Sequence, residues 1–204
     1  MRRKLCLVLF AAVLLATFAV RAPSQDKPVT PPAASATAAP ASGARAEFLN
    51  ELAYYEHRFT HLAEAVPADK YAWRPAEGVR SIGEVYMHVV AANYNLARAL
   101  GTPPPAGLDM KALMANAGDK VKVVSSLQDS FAHLRSAILA IKDSDLDNAQ
   151  KIFGQQTTVR GAFILITGQL GEHLGQSIAY ARQNGIVPPW TEEHQKQEAA
   201  KPKQ

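Results

Sequence analysis

The chain has 204 residues, with 22 Lys and Arg residues against 18 Asp and Glu residues, and a single cysteine. Residues 1–24 contain four of the basic residues and none of the acidic ones, so the rest of the chain carries no net charge. The basic balance therefore belongs to the first segment and does not indicate a nucleic-acid-binding protein. Because the cysteine is Cys6, the chain beyond residue 24 has no disulfide, no thiolate metal ligand and no cysteine nucleophile.

The first 24 residues have the layout of a secretory signal peptide. Three basic residues at positions 2–4 precede an apolar run from Leu5 to Val20, and small residues follow. The run has 16 residues, whereas a transmembrane helix needs about 20. We therefore predict that residues 1–24 are a signal peptide and that the protein is periplasmic or secreted, with an uncleaved signal anchor as the alternative. No membrane association is expected beyond this leader.

The remainder divides into three segments by composition. Residues 25–43 are almost entirely Ala, Pro, Ser and Thr, which cannot bury enough apolar surface to fold, so they are predicted to be a disordered linker. Residues 191–204 are polar and rich in Lys, Glu and Gln, and are predicted to be a disordered tail. Residues 44–190 have the length and composition of one domain.

Four stretches of this domain have the apolar periodicity of amphipathic helices. In the first, apolar side chains recur at spacings of four and three: Phe48, Leu52, Tyr55, Phe59, Leu62 and Val66. The same period predicts four helices, over residues 44–66, 81–100, 119–142 and 160–184. Only residues 150–159 have no helical pattern, and they are predicted to be extended.

Residues that begin and end helices support these boundaries. Ser81 and Glu84 have the spacing of a capping box, Pro67 ends the first helix, and Asn184 with Gly185 ends the last. Four amphipathic helices without a series of strands predict an all-α domain, a four-helix bundle. Association into a homodimer through exposed helix faces stays open, because no exposed stripe is clear enough to decide.

The motifs of common enzyme classes are absent from the sequence. There is no glycine-rich nucleotide-binding loop, no G-x-S-x-G and no H-E-x-x-H. No Glu-x-x-His occurs either, which argues against a ferritin-like di-iron site. The remaining candidates for catalytic or metal-binding residues are therefore the histidines.

Four of the six histidines have simple interpretations. His57 and His61 are four apart on the first predicted helix, a spacing at which two imidazoles can hold a metal. Their direction lies far from the apolar stripe, so two solvent-facing histidines are favoured and a metal site is the alternative. His133 is expected to pack or to face solvent, and His194 is expected to be inert in the tail.

The other two histidines lie beside the apolar faces of their helices. His88 flanks the stripe of the second helix, and His173 that of the fourth. Gln169, His173, Gln176 and Tyr180 form a polar line along the last helix. Such a line either faces water or lines a cavity between helices, and imidazole is a common ligand of zinc and nickel. From spacing alone, a hydrogen-bonded histidine at the rim of the bundle is favoured over a metal ligand.

Three segments resemble one known family. They read PADKYAWRP at 67–75, RSIGEVYMH at 80–88 and EHLGQSIAYARQNGIVPP at 172–189. The sequence resembles the DinB-like (DinB/YfiT) superfamily of four-helix bundles over most of the predicted domain. Trp73 and Trp190, at the edges of these segments, are expected to cover the ends of the bundle.

The resemblance implies a metal site. Family members commonly bind a divalent cation, often zinc or nickel, through one histidine on the second helix and two histidines four residues apart on the last. His88 matches the first ligand and His173 matches the last, but Gln169 stands where the remaining histidine would be. An amide oxygen is a harder and weaker ligand than imidazole, so the implied His-His-Gln site is degenerate. Gln176 and Tyr180 are candidates for the pocket around it.

The resemblance also implies a range of activities. Members with known activity include thiol-dependent transferases and isomerases, in which the metal activates a low-molecular-weight thiol, and many members have no assigned reaction. We therefore predict an exported DinB family protein with a weak divalent-metal site. If it is an enzyme, which the sequence leaves open, it performs metal-dependent thiol transfer or hydrolysis on a small molecule. The alternative is a non-catalytic helical binding or scaffold module of the cell envelope.

Overall fold

Four long helices and two short ones make up most of the computed structural model, which describes residues 42–200. In chain order they are α1 Gly43–Ala65, α2 Ile82–Ala99, α3 Met110–Met114, α4 Lys120–Ala140, α5 Val159–Gln183 and α6 Pro189–Ala199. The predicted signal peptide and residues 25–41 of the predicted linker lie outside the described residues. Within residues 42–200, no helix is both long enough and apolar enough to span a membrane.

The four predicted helices are confirmed, each boundary to within two residues. The capping box at the start of α2 is also present. The Ser81 hydroxyl accepts a hydrogen bond from the Glu84 backbone N–H at 3.2 Å, and the Glu84 carboxylate accepts one from the Ser81 N–H at 2.7 Å. The bond from the Ser81 N–H lowers the pKa of Glu84, since it stabilises the carboxylate.

The helices form a bundle in which α1 and α5 run in one direction and α2 and α4 in the other. Phe48 stacks on Phe163 at 4.4 Å, and the Tyr55 hydroxyl lies over Gly171, so α1 and α5 are parallel. Contacts at opposite ends make α1 and α4 antiparallel, since Arg45 donates to the Ile141 carbonyl and Lys120 to the Glu64 carbonyl.

The same kind of evidence orients α2. The side chain of Gln150, which precedes α5, donates to the carbonyl of Ala99 at the last residue of α2. His88, near the middle of α2, contacts His173 in the second half of α5. These two contacts make α2 antiparallel to α5 and bring the polar line of α5 against α2.

A glycine sets how closely α2 approaches the connection that follows α3. A Cβ at Gly83 would lie 1.8 Å from the backbone oxygen of Ala117 and 3.2 Å from the ring of Tyr71. Tyr71 is itself fixed, because its hydroxyl donates to the Ala63 carbonyl at 2.8 Å. The N-terminal turn of α2, which leads to His88, is therefore held between two neighbouring segments.

A two-stranded hairpin precedes α5. Strands β1 Ala149–Ile152 and β2 Gln155–Thr158 are antiparallel. The turn residues Phe153 and Gly154 have φ angles of 52° and 80°, which suits a tight two-residue hairpin turn. The prediction of extended structure for residues 150–159 is thus confirmed as far as Thr158.

The prediction of a disordered tail is wrong for residues 191–199, because α6 continues through them to Ala199. Pro189 is the first residue of α6, a position that suits proline because its missing N–H would have no partner within the helix. The Arg58 guanidinium lies 4.2 Å from the centroid of the Trp190 ring and connects α6 to α1. The polar composition was misleading, since Lys, Glu and Gln are also good helix formers.

Candidate functional site

The antiparallel packing of α2 and α5 brings His88 and His173 into contact. Their rings meet edge to face, with centroids 4.6 Å apart and an interplanar angle of 81°. His173 is 8% exposed, and His88 is half-buried. Two histidines that are far apart in the sequence therefore form one polar contact at the edge of the apolar core.

A hydrogen-bond chain along α5 holds His173. Its Nδ1 lies 3.2 Å from the Gln176 amide oxygen, and the Gln176 amide nitrogen donates to the Tyr180 hydroxyl at 3.0 Å. An amide oxygen only accepts, so with the amide in this orientation the His173 Nδ1 carries the hydrogen. The lone pair of the neutral ring is then on Nε2, the atom available to a metal or an acidic proton.

An aromatic contact covers the Tyr180 end of this series of hydrogen bonds. The Trp73 ring packs edge to face on Tyr180, with centroids 5.5 Å apart. Trp73 is positioned by the start of α2, because its carbonyl accepts the Ile82 N–H at 3.0 Å. The segment before α2 therefore shields the Tyr180 end of the polar line from water.

Gln169 lies one turn before His173 and differs from the rest of the polar line. Both polar atoms of its amide are buried, and neither has a hydrogen-bond partner among residues 42–200. Burying an amide without a partner is unfavourable by about 1–3 kcal/mol. Gln169 lies on the same face of α5 as His173. Its unpartnered amide therefore lowers the stability of the folded protein.

Burial, together with the charges around the contact, favours the neutral form of His88. Burial of the ring, followed by the positive charge of Arg80 and the electrostatic interaction with His173, lowers the pKa of His88 below its ordinary value of 6.5. The negative charge of Glu172 raises the pKa, but by less. At neutral pH the His88 imidazole is therefore unprotonated and able to act as an electron-pair donor.

These residues fit the divalent cation that the sequence resemblance implies, but as a weak set of donors. Two imidazoles on one tetrahedral zinc ion, with Zn–N distances of about 2.0–2.1 Å, place their ring centroids about 5 Å apart. The observed rings are 4.6 Å apart and edge to face, so they would have to turn slightly before one nitrogen of each faced the same ion. The third donor would be the amide of Gln169, which has no other partner. Within residues 42–200, no group of three His, Cys, Asp or Glu side chains is placed to hold a metal.

The other four histidines lie elsewhere. His57 is exposed and His61 half-exposed on α1, as predicted, and their rings are 3.9 Å apart. His133 packs at 5.2 Å from the Tyr94 ring, and its Nε2 is buried. His194 is exposed on α6, 3.9 Å from the Glu198 carboxylate. None of these four is placed in the contact between α2 and α5.

Sequence reasoning missed two contributors to the site. The sequence assigns no role to Arg80, yet its charge acts on His88. Trp73 was expected only to cover the end of the bundle, whereas it packs on Tyr180. Trp73 and Arg80 both lie in segments that carry the family resemblance, but the sequence does not indicate that either contacts or influences the polar line of α5.

Comparison with known proteins identifies the family. The DinB superfamily model matches residues 51–177, more than half of the chain. The chain therefore belongs to the DinB superfamily. No curated protein sequence matches it significantly.

Two solved structures are similar to this chain. A DinB-like protein from Bacillus subtilis is 17% identical, with a TM-score of 0.55 over 69% of this chain and 93% of its own. A DinB-like protein from Bacillus cereus ATCC 10987 is 19% identical, with a TM-score of 0.49 over 70% of this chain and 93% of its own. At 17% identity the likeness to the B. subtilis protein establishes the bundle fold alone.

Proposed function

We propose that this DinB superfamily protein is exported and binds a divalent cation, zinc or nickel, between α2 and α5. His88 and His173 are the imidazole donors, and Gln169 supplies a weaker amide donor. The observation that carries the proposal is the 4.6 Å edge-to-face contact between the two imidazoles. It brings two imidazole donors next to each other, and a small rotation of the rings would let both bind one cation.

The protonation of both rings supports this proposal. The Gln176 amide oxygen accepts from the His173 Nδ1 and leaves Nε2 unprotonated. The lowered pKa of His88 keeps that ring neutral at neutral pH. A metal-binding histidine usually has such a hydrogen-bond partner on its other ring nitrogen, which fixes the tautomer and the ring orientation.

The surrounding side chains support a site that acts on a small molecule. A divalent cation supplies Lewis-acid activation of a thiol or a water molecule. Trp73 and Tyr180 exclude water on one side, while the charges of Arg80 and Glu172 both act on His88. By family resemblance, we propose that a catalytic form would transfer a small thiol or hydrolyse a small substrate.

The donor set favours binding over catalysis. Gln169 replaces an imidazole with an amide, and a hard, neutral oxygen binds zinc and nickel weakly. We therefore keep a second candidate, a helical binding or scaffold module of the cell envelope in which the site no longer turns over substrate. A thiol-transfer or hydrolysis assay on metal-loaded protein separates the two, since only the enzyme loses turnover in His173→Ala.

The test of metal binding is a competitive titration with Zn2+ and Ni2+ of tag-free protein that carries His57→Ala and His61→Ala, so that the α1 histidines do not contribute. We expect His88→Ala and His173→Ala each to weaken binding at least tenfold, because each removes one of two imidazoles. His194→Ala is the matched control, since this exposed histidine lies on α6. Equal affinity in all four proteins would overturn the proposal.

Export rests on the signal-peptide layout of residues 1–24. In a Gram-negative host, we expect the protein in the periplasmic fraction with a new N-terminus after the apolar run. Full-length protein in the cytosol, starting at Met1, would contradict export while leaving the metal-binding proposal intact.

A further inference from the structure

A second pair of imidazoles lies on the solvent side of α1. His57 and His61 are one helical turn apart, and their ring centroids are 3.9 Å apart with a tilt of 51°. His57 is exposed and His61 half-exposed, so both rings are open to ions in solution. The pair belongs to α1 alone and shares no residue with the contact between α2 and α5.

The tautomer of His61 follows from its hydrogen bond. Its Nδ1 lies 2.8 Å from the backbone oxygen of His57. A carbonyl oxygen only accepts, so Nδ1 donates and the lone pair of the neutral ring is on Nε2. The structure therefore presents His61 with a fixed orientation and a free donor nitrogen.

His57 is free to adjust to a shared ion. Its ring makes no hydrogen bond within residues 42–200, and its only ring partner there is His61. Exposed side chains change rotamer readily. The rings need to separate by only about 1 Å to reach the centroid spacing of two imidazoles on one metal ion.

Neighbouring charged groups leave the pair unobstructed. The Arg58 guanidinium packs on the rings of Tyr54 and Trp190, at 4.9 Å and 4.2 Å. The Glu56 carboxylate is paired with Arg135 of α4. The charged groups of Arg58 and Glu56, the residues on either side of His57, are therefore not directed to the histidine pair.

We infer that His57 and His61 form a surface metal site on α1 for Cu2+ or Ni2+, with water completing the coordination shell. Cu2+ binds most tightly, because affinity for nitrogen donors rises from Ni2+ to Cu2+ and falls again at Zn2+. Binding also joins two successive turns of α1, so it stabilises the folded protein in proportion to ligand concentration and affinity.

The test is a Cu2+ and Ni2+ titration, followed by calorimetry and by the nitrogen hyperfine pattern in the copper EPR spectrum. The proteins are wild type, His57→Ala, His61→Ala, His194→Ala and the double variant His88→Ala/His173→Ala. We expect a two-nitrogen copper signal in wild type. In the His88→Ala/His173→Ala background, where the site between α2 and α5 is absent, either α1 substitution reduces it to one nitrogen and weakens binding at least tenfold, because chelation is lost.

The controls separate this site from the one between α2 and α5. The signal persists in His194→Ala, which removes an isolated exposed histidine, and in the His88→Ala/His173→Ala variant. A titration left unchanged by both His57→Ala and His61→Ala in the His88→Ala/His173→Ala background would overturn the inference. Loss of the copper signal in His88→Ala/His173→Ala alone would also overturn it, while supporting the proposed function. The α1 side chains are on the surface, so circular dichroism is expected to show the same fold in every variant.

Discussion

The edge of one imidazole meets the face of another where His88 of α2 crosses His173 of α5, with 4.6 Å between the ring centroids. The contact depends on how far α2 is inserted into the bundle. Gly83, just over one turn before His88, sets that position, since its backbone approaches the Ala117 carbonyl too closely for any side chain. The fold and the candidate site are therefore connected through one helical segment.

The glycine at position 83 is predicted to be essential for packing. Gly83→Ala would place a Cβ at 1.8 Å from a backbone oxygen, and overpacking of this kind destabilises a protein by about 1–3 kcal/mol or more. Gly175→Ala is the matched control, because it lies in α5 with no atom within 4 Å of its Cβ position. We expect the control to be neutral or stabilising by up to about 1 kcal/mol. Urea unfolding measures both, and equal stability of the two variants would contradict this packing.

The buried amide of Gln169 predicts how two substitutions change stability and metal binding. Gln169→Leu removes two buried polar atoms without partners, so the metal-free protein is expected to gain about 1 kcal/mol in its free energy of unfolding. Gln169→His supplies an imidazole one turn before His173 and is expected to raise zinc affinity at least tenfold. Destabilisation by Gln169→Leu would show that the amide has a partner, and unchanged affinity in Gln169→His would show that position 169 is not a ligand position.

The hydrogen bond from His173 to Gln176 predicts the tautomer of His173. In the metal-free protein at neutral pH, 15N shifts of the imidazole are expected to show a protonated Nδ1 and an unprotonated Nε2. Gln176→Leu removes the acceptor, so the ring becomes a mixture of tautomers and zinc binding weakens by about 10-fold to 100-fold. Tyr180→Phe keeps the aromatic ring beside Trp73 and isolates the contribution of the hydroxyl. A protonated Nε2 in the wild-type protein would mean that the amide is reversed.

The lowered pKa of His88 predicts how stability depends on pH. The unfolded chain takes up a proton near the ordinary value of 6.5, while folded His88 does so only at lower pH. Within that window the unfolded state binds more protons, so stability is full above about pH 6.5 and falls as the pH decreases toward the folded pKa. Metal-free His88→Gln is therefore expected to lose less stability than wild type between about pH 7.5 and pH 5. Urea unfolding of both proteins across this pH range measures the difference. Identical pH profiles of wild type and His88→Gln would contradict the lowered pKa of His88.

The sequence was a good guide wherever structure follows from local periodicity. The apolar spacing in α1 and the Ser81–Glu84 capping box predicted helix boundaries well, because both depend on residues within one or two turns. The line from His173 to Tyr180 was visible for the same reason. The 191–199 segment was missed because its polar residues suit a helix as well as a tail.

What the sequence did not contain is tertiary geometry. The meeting of His88 and His173 depends on the antiparallel packing of α2 and α5, and the family resemblance, rather than spacing, suggested it. The influence of Arg80 on His88 and the packing of Trp73 on Tyr180 arise from the segment that folds back before α2. The unpartnered state of the Gln169 amide is likewise a property of the packed bundle.

The most direct test of the account is the metal content of purified, tag-free protein by elemental analysis after dialysis against micromolar zinc or nickel. The background carries His57→Ala and His61→Ala, so that only the site between α2 and α5 is counted. We predict about one metal ion per chain in this background and a loss of that ion when His88→Ala is added. Absence of metal from both proteins, or equal content in the two, would contradict a metal site at His88 and His173.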